Sequence, residues 1–326
     1  MPFPDPNDSG IPTDIIHLIW FGDHIPIHYE MNIIRWVENN PKHLVYVHVG
    51  LNRENIQQFN HRFLRFTSTG RLKFLDFLET LETITTELAT TTEEHNLIKD
   101  AQHYLLEELI QPLGNLAAAS DIYRILLLYF YGGWYVDLDL TPELKNNLTN
   151  KFTVDKKYYL CISTSSTYSC LPLAKDHLLK FGFQIYQEDA KKVICNHLIA
   201  SKPKSLLIKI ILQHLIKNYQ QLMIGMSRSI EAYFSFRQQN LRHWIIYVTG
   251  PNAIVEALGE KGDGSLEISD PEYFIPPRII QNIKLNYDHT WLPHGISAMK
   301  LQELKMRVAA YKMQRLFREN KISSKA

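Results

Sequence analysis

Few cysteines, no excess of either charge and no long hydrophobic run: each of these lacks removes a class of protein from consideration. Cys161, Cys170 and Cys195 are an odd number in no CxxC arrangement, which argues against a disulfide framework and against a thiolate zinc site. A reducing cytosol is the compartment this usage favours. Lys plus Arg numbers 35 against 34 Asp plus Glu, so no overall field draws the chain to nucleic acid or acidic membrane. Binding must therefore be built from local features. Met1 to Gly10 has neither a basic start nor an apolar stretch, so no cleavable secretion signal is expected there, although export by another route stays open. No apolar run reaches the roughly 20 residues that cross a bilayer, because Ile122 to Phe130 contains Arg124 and runs into Gly132 and Gly133. A soluble, cytoplasmic protein without a membrane span is the expectation.

What is present is enough apolar residue to fold. The 326 residues are 45% hydrophobic, sufficient for a core of their own, and they read as one domain from 1 to 326. Ile15 to Phe21 suits a buried strand, Ile27 to Asn39 has helical spacing, and Leu44 to Val49 suits a second strand. That order predicts an α/β fold with a mostly parallel central sheet flanked by helices, whose ligands sit at the carboxyl ends of the strands. Arg71 to Ile110 reads as a helical insertion, with Thr83 to Thr92 thin in apolar residues. A helix is predicted from Asn115 to Tyr131, closed by Gly132 and Gly133, then a strand over Trp134 to Leu140. Later elements are a strand at Lys157 to Ser163, a helix at Pro203 to Gln220, another after Thr249-Gly250-Pro251, and a basic helix from about 297 to 318.

On a strand from Trp134 to Leu140 the side chains of Tyr135, Asp137 and Asp139 share one face. Two carboxylates two residues apart repel each other, and a bound cation is a natural reason to keep both. Hard oxygens suit Mg2+ or Mn2+. Taken alone, Asp-x-Asp equally fits a turn cap at Asp139 and an exposed Asp137. Upstream, Asp121 and Arg124 are neighbours on one helix face inside an apolar segment. Such charges need partners, unless the two form a surface pair contributing a few tenths of a kcal/mol.

The runs Ala118-Ala119-Ser120-Asp121-Ile122-Tyr123-Arg124 and Gly132-Gly133-Trp134-Tyr135-Val136-Asp137-Leu138-Asp139 resemble the DXD-containing sugar-binding glycosyltransferases, which include the glucosylating clostridial toxins and the yeast initiating mannosyltransferases. Weaker similarity lies at Ile15 to Gly22, at Asn196 with Ile199, Ala200 and Pro203, at Thr249-Gly250-Pro251 and at His289-Thr290-Trp291. The resemblance implies a GT-A fold binding a nucleotide-sugar donor, with UDP-glucose or UDP-N-acetylglucosamine foremost, and a protein or glycan acceptor. It implies Asp139 as direct metal ligand, Asp137 acting through metal-bound water and sugar or ribose hydroxyls, and Asp121 and Arg124 on the sugar and phosphate side. Tyr135 falls within the implied donor site. Trp20 matches the aromatic that stacks on the base, or else a core tryptophan. Asn196 matches a donor or acceptor contact, or else a buried amide satisfied by backbone. Trp291 matches a tryptophan closing over the leaving phosphate. His289 stands where the toxins carry a metal-linked serine; as a neutral imidazole it suits manganese, or else it is a structural histidine.

The expected activity is metal-dependent transfer of a hexose or N-acetylhexosamine to a hydroxyl, with retention at the anomeric carbon. Resemblance to toxin catalytic domains extends this to a bacterial effector modifying host proteins. A non-catalytic nucleotide-sugar or protein-binding module with the same fold is the rival, and a polysaccharide-building transferase of membrane compartments is a third reading. The basic helix reads as a terminal helix packed on the domain, or as a contact for anionic lipid or an acidic partner.

Overall fold

The computed structural model describes residues 15–22, 24–50, 53–110, 114–142, 158–163, 193–228, 245–260, 283–285, 302 and 304–314. The first apolar run forms β1 (Ile15–Trp20), the periodic stretch after Pro26 forms α1 (Ile27–Asn39), and β2 (Leu44–Val49) pairs parallel with β1 along its whole length. Next come α2 (Arg53–Arg62), α3 (Leu64–Thr67) and β3 (Leu72–Asp76), which lies parallel to β2. The insertion expected to be helical from Arg71 therefore begins with a strand. Its apolar positions 72, 74, 75, 77 and 78 suit either period, and pairing with β2 decides between them. Helix resumes with α4 (Phe77–Thr83), a π-helical turn (Ile84–Leu88) and α5 (Thr92–Ile110), with a break at 89–91 inside the apolar-poor stretch.

Helix α6 (Leu116–Phe130) is fixed at both ends by local chemistry. The Asn115 side chain accepts from the N–H groups of Ala117 and Ala118 at 2.8 and 3.1 Å, satisfying donors that a helix start leaves open. At the other end Gly132 and Gly133 have φ of +66° and +86°, where a side chain is strained. A Cβ there would lie 2.5 Å from Pro203 and 2.5 Å from the Ile15 carbonyl, respectively. The glycines thus let the chain pass from α6 straight into the middle of the sheet.

The remaining elements are β4 (Gly133–Val136), β5 (Leu140–Pro142), β6 (Tyr158–Ser163), β7 (Val193–Ser201), α7 (Leu206–Arg228), a second π-helical turn (Ile245–Thr249), α8 (Pro251–Glu260), β8 (Ile283–Leu285) and a terminal helix α9 at 304–314. The main sheet runs β3-β2-β1-β4-β7-β6. Its first four strands are mutually parallel, and β7 is antiparallel to both its neighbours. Strand order reverses between β1 and β4, and such a switch opens a crevice at the carboxyl ends of the strands.

Both faces of the sheet are covered, which explains why its strands read as continuous apolar runs. Ile16, Leu18, Trp134, Val136 and Leu198 pack against α1, α2 and α3, while Ile19, Tyr135 and Ile199 join a larger core with α4 to α9. In α9, Leu304 and Val308 are buried, Arg307 pairs with Asp76 and donates to the Gly50 carbonyl at 2.9 Å, and Lys312 pairs with Glu107. The helix is packed on the domain, its basic residues Arg307 and Lys312 engaged by acids of β3 and α5. Among the described residues no helix is long and apolar enough to cross a membrane.

Candidate functional site

Trp134 to Leu140 is not one strand. β4 ends at Val136, Asp137 to Asp139 form a tight turn closed by the Leu140 N–H on the Asp137 carbonyl at 3.1 Å, and β5 pairs antiparallel with β8. The cause is long-range. From α1, Asn32 donates to the Leu138 carbonyl at 2.8 Å and Trp36 to the Leu140 carbonyl at 2.9 Å. From β7, the His197 carbonyl accepts from the Asp137 N–H at 2.9 Å. The acids consequently sit at the carboxyl end of β4, on the crevice, and not along a flat strand face.

Helix α6 lies on the face of the sheet that carries Tyr135, and this brings the other pair to the turn. Asp121 and Arg124 are 2% and 5% exposed, which rules out a surface pair, and Arg124 Nη2 meets Asp121 Oδ1 at 2.9 Å. The same guanidinium reaches Asp137 Oδ1 at 3.3 Å, donates to the Asn196 carbonyl at 2.6 Å, and lies 4.3 Å over the Tyr135 ring. The Tyr135 hydroxyl donates to Asp137. Burial holds that phenol well above its ordinary range, so it acts as a neutral donor.

Asn196 is brought in by an irregularity. Leu160 pairs with Ile199 but Cys161 with Cys195, so residues 196–198 of β7 have no partner on β6. There the Asn196 side chain donates to Asp121 Oδ1 at 2.8 Å, the kind of re-aiming that bulges produce. Its amide is satisfied by a carboxylate, not by backbone. The second oxygen, Oδ2, accepts from Thr249 Oγ1 at 2.7 Å. Thr249 is a contact of the site that assignment from sequence missed; its sole signal was the Thr249-Gly250-Pro251 similarity, 128 positions from its partner.

Electrostatics join these groups. Burial pushes the Asp121 carboxyl up to about 6, against Arg124, Thr249 and Asn196, which favour its ionised form. Burial opposes the Arg124 cation, yet Tyr135, Asp137, Asp121 and Asp139 around it hold its proton more firmly than usual. Asp121, Asp137 and Asp139 thus surround a single guanidinium. Asp137 keeps its side chain 28% exposed on the crevice, and Asp139 is half-buried beside it. Among the described residues no three His, Cys, Asp or Glu gather to hold a metal alone. Two hard carboxylates nevertheless fit Mg2+ or Mn2+, ions that take a carboxylate or two and fill the rest of their sphere with phosphate and water.

Trp20 ends β1, which pairs with β4 from Ile16 opposite Trp134, so its half-buried indole sits at the same sheet edge as the 137–139 turn. The indole N–H donates to the His24 carbonyl at 2.8 Å, and its ring is 5.3 Å from Tyr29. A Cβ on residue 22 would lie 2.6 Å from the indole, so Gly22 makes room for it. The structure thus gathers Asp121, Arg124, Tyr135, Asp137 and Asn196, with Asp139 on the same turn and Trp20 on the same edge. His289 and Trp291 lie outside the described residues.

Comparison with known proteins gives these residues a context. The TcdA/TcdB catalytic glycosyltransferase domain matches residues 86–159. Toxin A of Clostridium novyi is 32% identical over 105 residues, which is 31% of this chain and 5% of that toxin, so the chain spans a small part of its relative. Among solved structures, PaToxG glycosyltransferase aligns with a TM-score of 0.48 and 16% identity, covering 92% of this chain and 85% of that one. The UDP-bound glycosyltransferase domain from the YGT toxin aligns with a TM-score of 0.44 and 13% identity, covering 76% and 77%. The matched segment contains Asp121, Arg124, Tyr135, Asp137 and Asp139, so these residues lie where the chain is similar to that catalytic glycosyltransferase domain.

Proposed function

We propose that the chain is a glycosyltransferase, using Mn2+ or Mg2+, that moves a hexose or N-acetylhexosamine from a UDP-linked donor to a protein or glycan hydroxyl. The observation that carries this is the tie between the buried Asp121–Arg124 pair and Asp137 at the strand-order switch, within the matched segment. Asp137 and Asp139 would hold the cation, and Tyr135 and Arg124 fix the Asp137 carboxylate. The cation, when bound, stabilises negative charge growing on the diphosphate leaving group as the glycosidic bond breaks. Asp121, Arg124 and Asn196 form the wall against the donor, and Trp20 offers aromatic surface to the base. By the resemblance of His289-Thr290-Trp291, His289 would contact the metal and Trp291 would close over the leaving phosphate. One domain carries all of this, and the acceptor we favour is a host protein, as for a bacterial effector.

The test is donor hydrolysis by wild type and by Asp139→Ala, with UDP-glucose, UDP-N-acetylglucosamine, UDP-galactose and GDP-mannose, each with Mn2+ and then with chelator. One donor should be turned over, with retention by NMR, and turnover should fall at least a hundredfold with the substitution or the chelator, given what electrostatic stabilisation of a leaving group contributes. Turnover indifferent to both treatments would sink the metal site, and an inverted product would sink retention. Binding without turnover, in the presence of acceptor lysate, would favour the non-catalytic module.

A further inference from the structure

Thr249 closes the second π-helical turn, at the entrance to α8, outside the segment that matches the glycosyltransferase domain. It is 2% exposed, and its hydroxyl sits 2.7 Å from Asp121 Oδ2 and 3.3 Å from the Ile245 carbonyl. The two oxygens of Asp121 are held by different parts of the fold. Asn196 from β7 and Arg124 from α6 take Oδ1, while the π-helical turn takes Oδ2. A carboxylate gripped on both oxygens cannot turn about its own axis.

We propose that Thr249 is a positioning residue for the transfer. Its hydroxyl fixes the plane of Asp121, Asp121 fixes Arg124, and Arg124 is thereby set against Asp137 and the Asn196 carbonyl. This role rests on the transferase reading given above. Without the hydroxyl, Oδ2 becomes a buried acceptor lacking its donor, and the carboxylate relieves that by rotating or by taking up a proton. Either response loosens Arg124. Groups held ready before reaction matter most in the transition state, so the loss should appear in kcat more than in KM.

The experiment compares wild type, Thr249→Val and Thr249→Ser on the preferred UDP-sugar with Mn2+, with melting temperature as the control for folding. Thr249→Val, close in shape but unable to donate, should lower kcat about tenfold or more with KM changed less than about threefold. Thr249→Ser should restore kcat to within about threefold, because it keeps the hydroxyl. Equal impairment of Val and Ser would assign the residue to packing and overturn the proposal, as would a Val variant as fast as wild type. Should Val fail to fold, Thr249→Cys, a weak donor of similar size, must fall between Ser and no activity, and a Cys variant matching wild type would again overturn it. A wild type that turns over no donor overturns the transferase reading itself, and this role with it, so the two failures are told apart.

Discussion

Asp121 is an acid that burial inclines toward its protonated form and that three donors keep ionised. Its partner Arg124 also meets Asp137, so protonation of Asp121 weakens one of the two carboxylate contacts that set the guanidinium. The pKa of Asp121 is raised from 3.8 to about 6. Any stability it contributes is therefore fully present below about pH 4 and lost as pH rises through 6, whereas activity needs the ionised form and runs the opposite way. Donor turnover by wild type should lose kcat/KM below about pH 6, with one proton governing the limb. Asp121→Asn, isosteric and neutral, should be slower by at least tenfold, with residual turnover flat between pH 5 and 7. A limb of unchanged midpoint in the Asn variant would show that some other group governs it.

The position of the acids was legible only in part, and the reason lies in which contacts are local. β1, α1, β2 and α6 follow from runs of apolar residues and from stops such as Gly132, so the sheet and the helix bearing Asp121 were readable from short stretches. The stretch Trp134 to Leu140 alternates like a strand, and its one local turn signal, the cap offered by Asp139, does not say where the strand breaks. What breaks it is the grip of Asn32 and Trp36, one helical turn apart on α1 and 104 or more positions distant. Thr249 carried only the weak Thr249-Gly250-Pro251 similarity, and its contact with Asp121, 128 positions away, was not legible for the same reason. Trp36→Phe tests this grip, because it keeps a buried aromatic and removes the donor to the Leu140 carbonyl. The orphaned carbonyl should cost about 1–3 kcal/mol in urea unfolding, and the loosened turn should weaken Mn2+ activation severalfold. Normal Mn2+ dependence alongside lower stability would mean that β5 and β7 hold the turn without α1.

Across the whole molecule, the transition from helix to sheet at Gly132 rests on a buried line of neutral groups. The Gly132 carbonyl only accepts, so His17 Nε2 donates to it at 3.0 Å; His17 Nδ1 then accepts from His48 Nε2 at 3.1 Å, and His48 Nδ1 from the Tyr123 hydroxyl at 3.1 Å. This joins β1, β2 and α6 behind the crevice. Burial lowers His17 to about 4 against the ordinary 6.5, and burial, with His17 beside it, lowers His48 well below 6.5. The stability these depressed groups contribute is present above about 6.5 and lost as pH falls toward 4. Asp121 works in the other direction over the same range, taking up a proton in the native state below about 6. Between about pH 6 and 4.5 the unfolded chain carries nearly two histidine protons that the native state lacks, and the native state carries nearly one on Asp121 that the unfolded chain lacks. The difference of one proton predicts a loss of about 1.4 kcal/mol per pH unit in urea unfolding. Asp121→Asn removes the offset, so its slope should approach about twice that value even though its stability at pH 7 differs. Equal slopes in the two proteins would mean that Asp121 is ionised throughout, and stability rising as pH falls would mean that the histidine line is protonated in the fold.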